Sequence, residues 1–356
     1  MTTRYLLPLA LLCLTHCAGI QQAGYTADES ALALLPADAD GFDDGRGRFR
    51  EIFCSILEGH GQNLKDYRTC EEALTRVGEE SPPTGVPIRR GLSNQDFLVG
   101  LVPGLGWQCV KHWLKKDNYV PLHVAQHGYD LRLFDVDGLS STENNALQIR
   151  DHVLSLSQED ESRPLILMGH SKGTVDILQA VVSYPEVSSR VVAVVSLAGA
   201  VGGSPLSETM QQSHFDRLAR VPRSGCEPGD SGALASLNPA LRQQWLADNS
   251  LPDGIRYYSV IAYPDPEHVS YGLKSTYLKL AEVDARNDGR LIFYDQFIPG
   301  ATLLAFTNAD HFAISTPVAR QLAISQSTFA NKSDYPRAAL LEAILRYVEE
   351  DLTGSE

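Results

Sequence analysis

Pro164-Leu165-Ile166-Leu167-Met168-Gly169-His170-Ser171-Lys172-Gly173 is the stretch that decides the fold. Leu165 to Met168 is an apolar run of the length of a buried strand, and it breaks into Gly-x-Ser-x-Gly. Two glycines flanking a serine allow a strand-to-helix turn so sharp that neighbouring backbones leave no room for a Cβ. The serine then sits at the apex of the turn with its hydroxyl exposed above the end of a sheet. Beyond the turn the spacing is helical: Val175, Leu178 and Val182 fall on one face, Ile177 and Val181 on the next, and Pro185 ends the run. Gly-x-Ser-x-Gly alone is a weak signal; its placement between a buried strand and a buried helix gives it weight.

Outward from this turn, strands and helices alternate. Phe97–Val102, Val120–Val124, Val191–Leu197, Tyr257–Ala262 and Thr302–Phe306 read as further strands. Trp107, Val110, Trp113 and Leu114 mark one intervening helix, Ala146, Ile149, Val153 and Leu156 another, and Leu341, Ile344, Leu345 and Val348 the last. Such alternation argues a mostly parallel sheet with helices on both faces, here of six strands with the serine after the third, over residues 96–356. Within it the alternation lapses over 203–253, an insert with two amphipathic segments, one with Met210, Phe215 and Leu218, the other led by Asn238-Pro239 and carrying Leu241 and Trp245. The insert is expected to be a lid or a packed cap. Residues 18–95 read as a tether followed by a small helical extension: Phe49, Ile52, Phe53, Ile56 and Leu57 form one stripe and Tyr67–Val77 a second. The linker Ser81-Pro82-Pro83-Thr84-Gly85 follows.

At 356 residues and 43% hydrophobic content the chain can bury a full core. A net charge of −14 argues against nucleic acid as a partner, because phosphate would be repelled. Residues 1–17 read as a signal peptide, since the apolar run Tyr5–Leu14 is too short to span a bilayer. Leu14-Thr15-His16-Cys17 resembles a bacterial lipobox, although His16 stands where that motif has a small residue. The expectation is an exported protein, periplasmic, secreted, or an outer-membrane lipoprotein attached through a lipid anchor at Cys17. Cys54, Cys70, Cys109 and Cys226 would then meet an oxidising compartment. Of the three pairings, Cys54 with Cys70 and Cys109 with Cys226 is favoured, because the first pair would tie two short helices of the extension together.

A serine hydroxyl is a poor nucleophile until a positioned base takes its proton, so the Ser171 turn calls for a histidine after the last strand. His311 follows Thr302–Phe306 by a short polar loop. A carboxylate must hold the imidazole tautomer. Asp288, in the turn Arg286-Asn287-Asp288-Gly289, is favoured; Asp265, directly after the Tyr257–Ala262 strand, is the rival. Asp310 is disfavoured, because adjacent residues on a loop rarely face each other. Gly104-Leu105-Gly106 follows the first strand and would aim one backbone N–H at an oxyanion, that of Leu105, while Lys172 supplies another from a helix N-terminus. The Lys172 side chain is expected to turn toward a carboxylate. His112, His123, His127 and His152 lack ligand spacing and read as ordinary histidines; no metal, nucleotide or other cofactor motif is evident.

Ser171, Asp288 and His311 in that order, with Gly104-Leu105-Gly106 upstream, resemble the α/β-hydrolase superfamily from Phe97 to the C-terminus. Asn287-Asp288-Gly289 followed by Asp310-His311 is similar to bacterial true lipases, and Pro103-Gly104 replaces their usual His-Gly. Gly-x-Ser-Lys-Gly together with Ala198–Pro205 also resembles exported bacterial hydrolases. The resemblance implies a serine hydrolase cleaving small-molecule or lipid carboxylic esters through an acyl-enzyme. Two alternatives stay open at this point: an acyltransferase using the same triad, and a non-catalytic binding protein on the same fold.

Overall fold

The computed structural model describes residues 43–64, 66–114, 119–210, 229–315 and 334–354. The leader with Cys17, and with it Cys226, Phe215 and Leu218, lies outside them. Among the described residues seven strands form one sheet: β1 (Leu74–Thr75), β2 (Leu98–Val102), β3 (Asp130–Leu133), β4 (Leu165–His170), β5 (Val191–Leu197), β6 (Arg256–Ala262) and β7 (Thr302–Thr307). Their order is β1-β7-β6-β5-β4-β2-β3, parallel throughout except for β1 against β7. The chain runs from β2 to the edge at β3 and returns to β4. That reversal leaves a crevice at the carboxyl ends of β2 and β4, where open α/β sheets place their ligands.

Side chains alternate across a strand, so a sheet covered on both faces reads as a continuous apolar run. In β4, Leu165 and Leu167 enter the core under the helices Thr142–Leu154 and Lys172–Ser183, while Ile166 and Met168 enter the core on the other face. That second face is covered by the helix Arg46–His60 and the last helix, Arg337–Thr353. Phe49, Ile52, Phe53, Ile56 and Leu57 are buried there, with the Phe49 ring 6.4 Å from that of Tyr347. The segment read as an extension therefore shares the main core. Fully burying side chains of this size contributes about 1.5–3 kcal/mol each.

Two expectations change. Val120–Val124 is not a strand but part of the helix Tyr119–Gln126, and the strand lies further on at β3. Val120 and Val124 are four apart and pack on the main core, and Pro121 is tolerated in the first turn, where its missing N–H would have no helical partner. Strand β3, Asp-Leu-Arg-Leu at the sheet edge, is too polar to announce itself. Within Tyr67–Val77 the helix is only Cys70–Ala73, begun by a Thr69–Glu72 capping box, and Leu74–Thr75 leaves it to pair with β7. Cys54 and Cys70 form the expected disulfide. Cys109 is also disulfide-bonded.

Of the insert, residues 229–253 pack on the body. Asn238 caps the helix Pro239–Asp248, Trp245 leans on the core, and the Arg242 guanidinium donates to the Val201 carbonyl at 3.1 Å. Among the described residues no helix is long and apolar enough to cross a membrane.

Candidate active site

Strand β4 delivers Ser171 to its carboxyl end, and the backbone there is strained: Ser171 has φ 56° and ψ −124°. A positive φ is uncommon for a residue with a Cβ and persists only where the surroundings enforce it. Here the Ser171 N–H donates to the Leu197 carbonyl at 3.1 Å, and the Ser171 carbonyl accepts from Ala200 at 3.1 Å. The flanking glycines are required by close approach. A Cβ on Gly169 would lie 2.5 Å from the Thr174 backbone, and one on Gly173 would lie 2.3 Å from the Val102 carbonyl oxygen.

His311 enters from the loop after β7. Its Nε2 lies 2.9 Å from Ser171 Oγ and its Nδ1 2.7 Å from Asp288 Oδ2. All three residues are buried or nearly so. Asp288 is fixed in turn: its Oδ1 accepts from the N–H groups of Arg290 at 2.8 Å and Leu291 at 2.7 Å, and its carbonyl accepts from the His311 N–H at 3.0 Å. With a carboxylate oxygen on Nδ1, that nitrogen carries the ring proton and Nε2 presents its lone pair to the serine.

The structure separates the rival carboxylates. Asp265 accepts from Asn308 Nδ2 at 2.8 Å and is largely exposed. Asp310 is buried, but it faces Ser270 on one side and accepts from the N–H groups of Phe312 and Ala313 at 3.0 and 2.8 Å on the other. Asp310 therefore shapes the loop that carries His311 and does not touch the imidazole. The cap pattern Asp310-x-Phe312-Ala313 was the sequence signal for this role.

Gly104 lies against the serine, since a Cβ there would come within 2.8 Å of Ser171 Cβ. The loop is held by the Gly106 N–H on the Gly138 carbonyl at 3.0 Å. Leu105, next in the loop, packs on Val175 and Ala200, while the Lys172 N–H opens the helix, among the donors a helix start leaves without partners. The Lys172 side chain does turn to a carboxylate: Nζ donates to Asp176 Oδ1 at 2.6 Å, and Asn145 donates to Asp176 Oδ2 at 2.8 Å. Burial pushes the Asp176 carboxyl above its ordinary value, against the pull of Lys172 and Asn145.

His170 was not singled out from sequence. Its Nε2 donates to the His311 carbonyl at 2.9 Å, and the two rings lie 4.9 Å apart. Burial, reinforced by the nearby His311 ring, pushes His170 down to about 3, so it stays neutral beside the triad.

No family model and no curated relative matches the chain. Among solved structures it is similar to the metagenomic carboxyl esterase MGS0156, at 41% identity over 89% of this chain and 96% of that one, with a TM-score of 0.82. The mature lipase BlEst2 of Bacillus licheniformis shares the fold at 19% identity, over 69% and 93% of the chains, with a TM-score of 0.51. EstA of Clostridium botulinum does so at 12% identity, over 83% and 98%, with a TM-score of 0.50. On the strength of the first likeness, which runs along nearly the whole of both chains, this chain belongs to the α/β-hydrolase family of carboxyl esterases and lipases.

Proposed function

We propose that the protein hydrolyses carboxylic esters through an acyl-enzyme, with Ser171 as nucleophile, His311 as base and then acid, and Asp288 orienting His311. The observation that carries this reading is the unbroken relay from Asp288 Oδ2 through both ring nitrogens of His311 to Ser171 Oγ. In the first step Oγ attacks the ester carbonyl carbon while its proton passes to Nε2. The developing oxyanion is met by the N–H groups of Leu105 and Lys172; one such donor contributes about 3 kcal/mol to the transition state. His311 then protonates the leaving alkoxide as the C–O bond breaks. Water, deprotonated by the same imidazole, releases the acid and restores Ser171.

The likeness to a carboxyl esterase supports an ester as substrate. Leu237 of the insert packs with Val175 and Leu291, with Leu105 of the Gly104 loop against them, and this apolar lining favours hydrophobic esters. The leader is read as exporting the protein, and the intact mass of the mature chain would distinguish a lipid anchor at Cys17 from simple cleavage.

A fluorophosphonate is the direct test. Stoichiometric labelling of Ser171 together with turnover of p-nitrophenyl esters is expected, and both are lost in Ser171→Ala, by about 10⁶-fold for kcat. Labelling that survives in Ser171→Ala would overturn the assignment.

A further inference from the structure

At the end of the sheet where the strands begin, far from the triad in the fold, three imidazoles converge on one carboxylate. His60 ends the helix Arg46–His60, His123 lies in the helix Tyr119–Gln126, His127 follows it just before β3, and Glu342 lies in the helix Arg337–Thr353. The Nε2 atoms of His60, His123 and His127 lie 3.0, 2.7 and 3.4 Å from the same oxygen, Glu342 Oε2. Ring centroids are 4.9 to 5.5 Å apart. Among the described residues this is the one group of three or more His, Cys, Asp or Glu whose ligand atoms all lie within 4.8 Å of one another. We propose that His60, His123, His127 and Glu342 bind one divalent transition-metal ion, Zn²⁺ foremost, and that the ion staples three helices together.

Three features favour a cation over a plain hydrogen-bond cluster. A carboxylate oxygen offers about two lone-pair sites, so at most two of the three ring nitrogens that crowd Oε2 can be satisfied by donating to it. Four-coordinate zinc with bonds of about 2.0–2.2 Å spaces its ligand atoms about 3.4 Å apart, which these atoms reach by moves of about an ångström. Three nitrogens and one oxygen are also the donor set that borderline ions such as Zn²⁺, Co²⁺ and Ni²⁺ prefer.

The outer contacts fit as well. Arg346 Nε donates to Glu342 Oε1 at 2.8 Å, which fixes the carboxylate and leaves Oε2 for the ion. Arg346 also donates to His127 Nδ1 at 3.3 Å; metal binding at Nε2 puts the ring proton on Nδ1, so this one contact gives way while the carbonyls of Arg89, Arg90 and Gly91 keep the guanidinium anchored. His123 and His127 are therefore not the ordinary histidines expected from sequence. Their four-residue spacing sets His127, just past the end of the helix, one turn beyond His123, and only the fold adds His60 and Glu342. His152, by contrast, meets the Asp135 carbonyl at 3.0 Å and stacks on Phe134.

The test uses untagged full-length protein stripped with dipicolinate and titrated with Zn²⁺ or Co²⁺. About one metal per chain is expected, with a rise of several degrees in Tm and the visible absorption of four-coordinate Co²⁺. His60→Gln with His127→Gln, checked for folding by circular dichroism, should abolish all three. If that pair fails to fold, His60→Gln alone is read instead, its ring being the most exposed of the three; at least about a tenfold loss of Zn²⁺ affinity is expected. Less than about a tenth of an equivalent bound with no Tm shift, or wild-type binding by the folded variant, would overturn the proposal.

Discussion

Two histidine–carboxylate groups occupy opposite ends of the same sheet, and they are wired differently. At the carboxyl ends of the strands, His311 spends one nitrogen on Asp288 and the other on Ser171. At the opposite end, His60, His123 and His127 all aim one nitrogen at Glu342. In the linear arrangement His311 takes the Ser171 proton on Nε2 while its Nδ1–H stays on Asp288, so the carboxylate orients the imidazole and offsets its charge. A convergent cluster cannot pass a proton anywhere, but it concentrates lone pairs on one point, as a cation needs. The same two residue types thus serve opposite ends, and geometry alone separates them.

Breaking the relay should have the largest effect. Asp288→Asn leaves His311 Nδ1 facing an amide and favours the wrong tautomer, so kcat on p-nitrophenyl esters is expected to fall about 10⁴-fold. Asp265→Asn, on an exposed carboxylate bonded to Asn308, should leave kcat little changed; the reverse ranking would move the acid to Asp265. Breaking the cluster comes next. Glu342→Gln strips the buried Arg346 guanidinium of its carboxylate, which should lower the unfolding free energy by about 3–5 kcal/mol, measured by urea in chelator-treated protein so that no metal contributes. A loss under about 1 kcal/mol would mean that the backbone carbonyls hold Arg346 unaided.

The disulfide sharpens the contrast, since Cys54 belongs to the helix that presents His60. Replacing Cys54 and Cys70 by Ser opens a loop of 16 residues and should cost about 3 kcal/mol. An unchanged urea midpoint would leave core packing as the sole support of that helix. The smallest effect is one of pH. Because His170 stays neutral in the native state down to about 3, against 6.5 when unfolded, the unfolded chain takes up a proton that the native state refuses. Stability should therefore decline as pH falls from 6.5 toward 3, and His170→Gln should flatten part of that decline. An identical slope in the variant would assign the decline to other groups.

Much of the catalytic end was legible in the chain. The elbow, the order Ser171, Asp288, His311 and the Gly104 loop follow from local rules: a tight turn needs glycine, and a nucleophile needs a base beyond the last strand. The short edge strands were not legible. β3 is polar because it lies at the sheet edge with no residue fully buried, and Leu74–Thr75 is too short to carry a period; its pairing with β7 comes from proximity in the fold. Asp310 was set aside as a triad acid, and its bonds to the N–H groups of Phe312 and Ala313 were missed although an aspartate opening a turn favours them.

Hydrophobic periodicity and turn chemistry are local, so the amino-acid sequence by itself determined the layered α/β scaffold, the strained Ser171 turn and the triad candidates. Which carboxylate faces His311, and that three histidines from two helices and a turn meet a glutamate near the end of the chain, were decided by tertiary structure alone. These groups are brought together by packing on the two faces of the sheet, and that packing depends on the whole core rather than on any one segment.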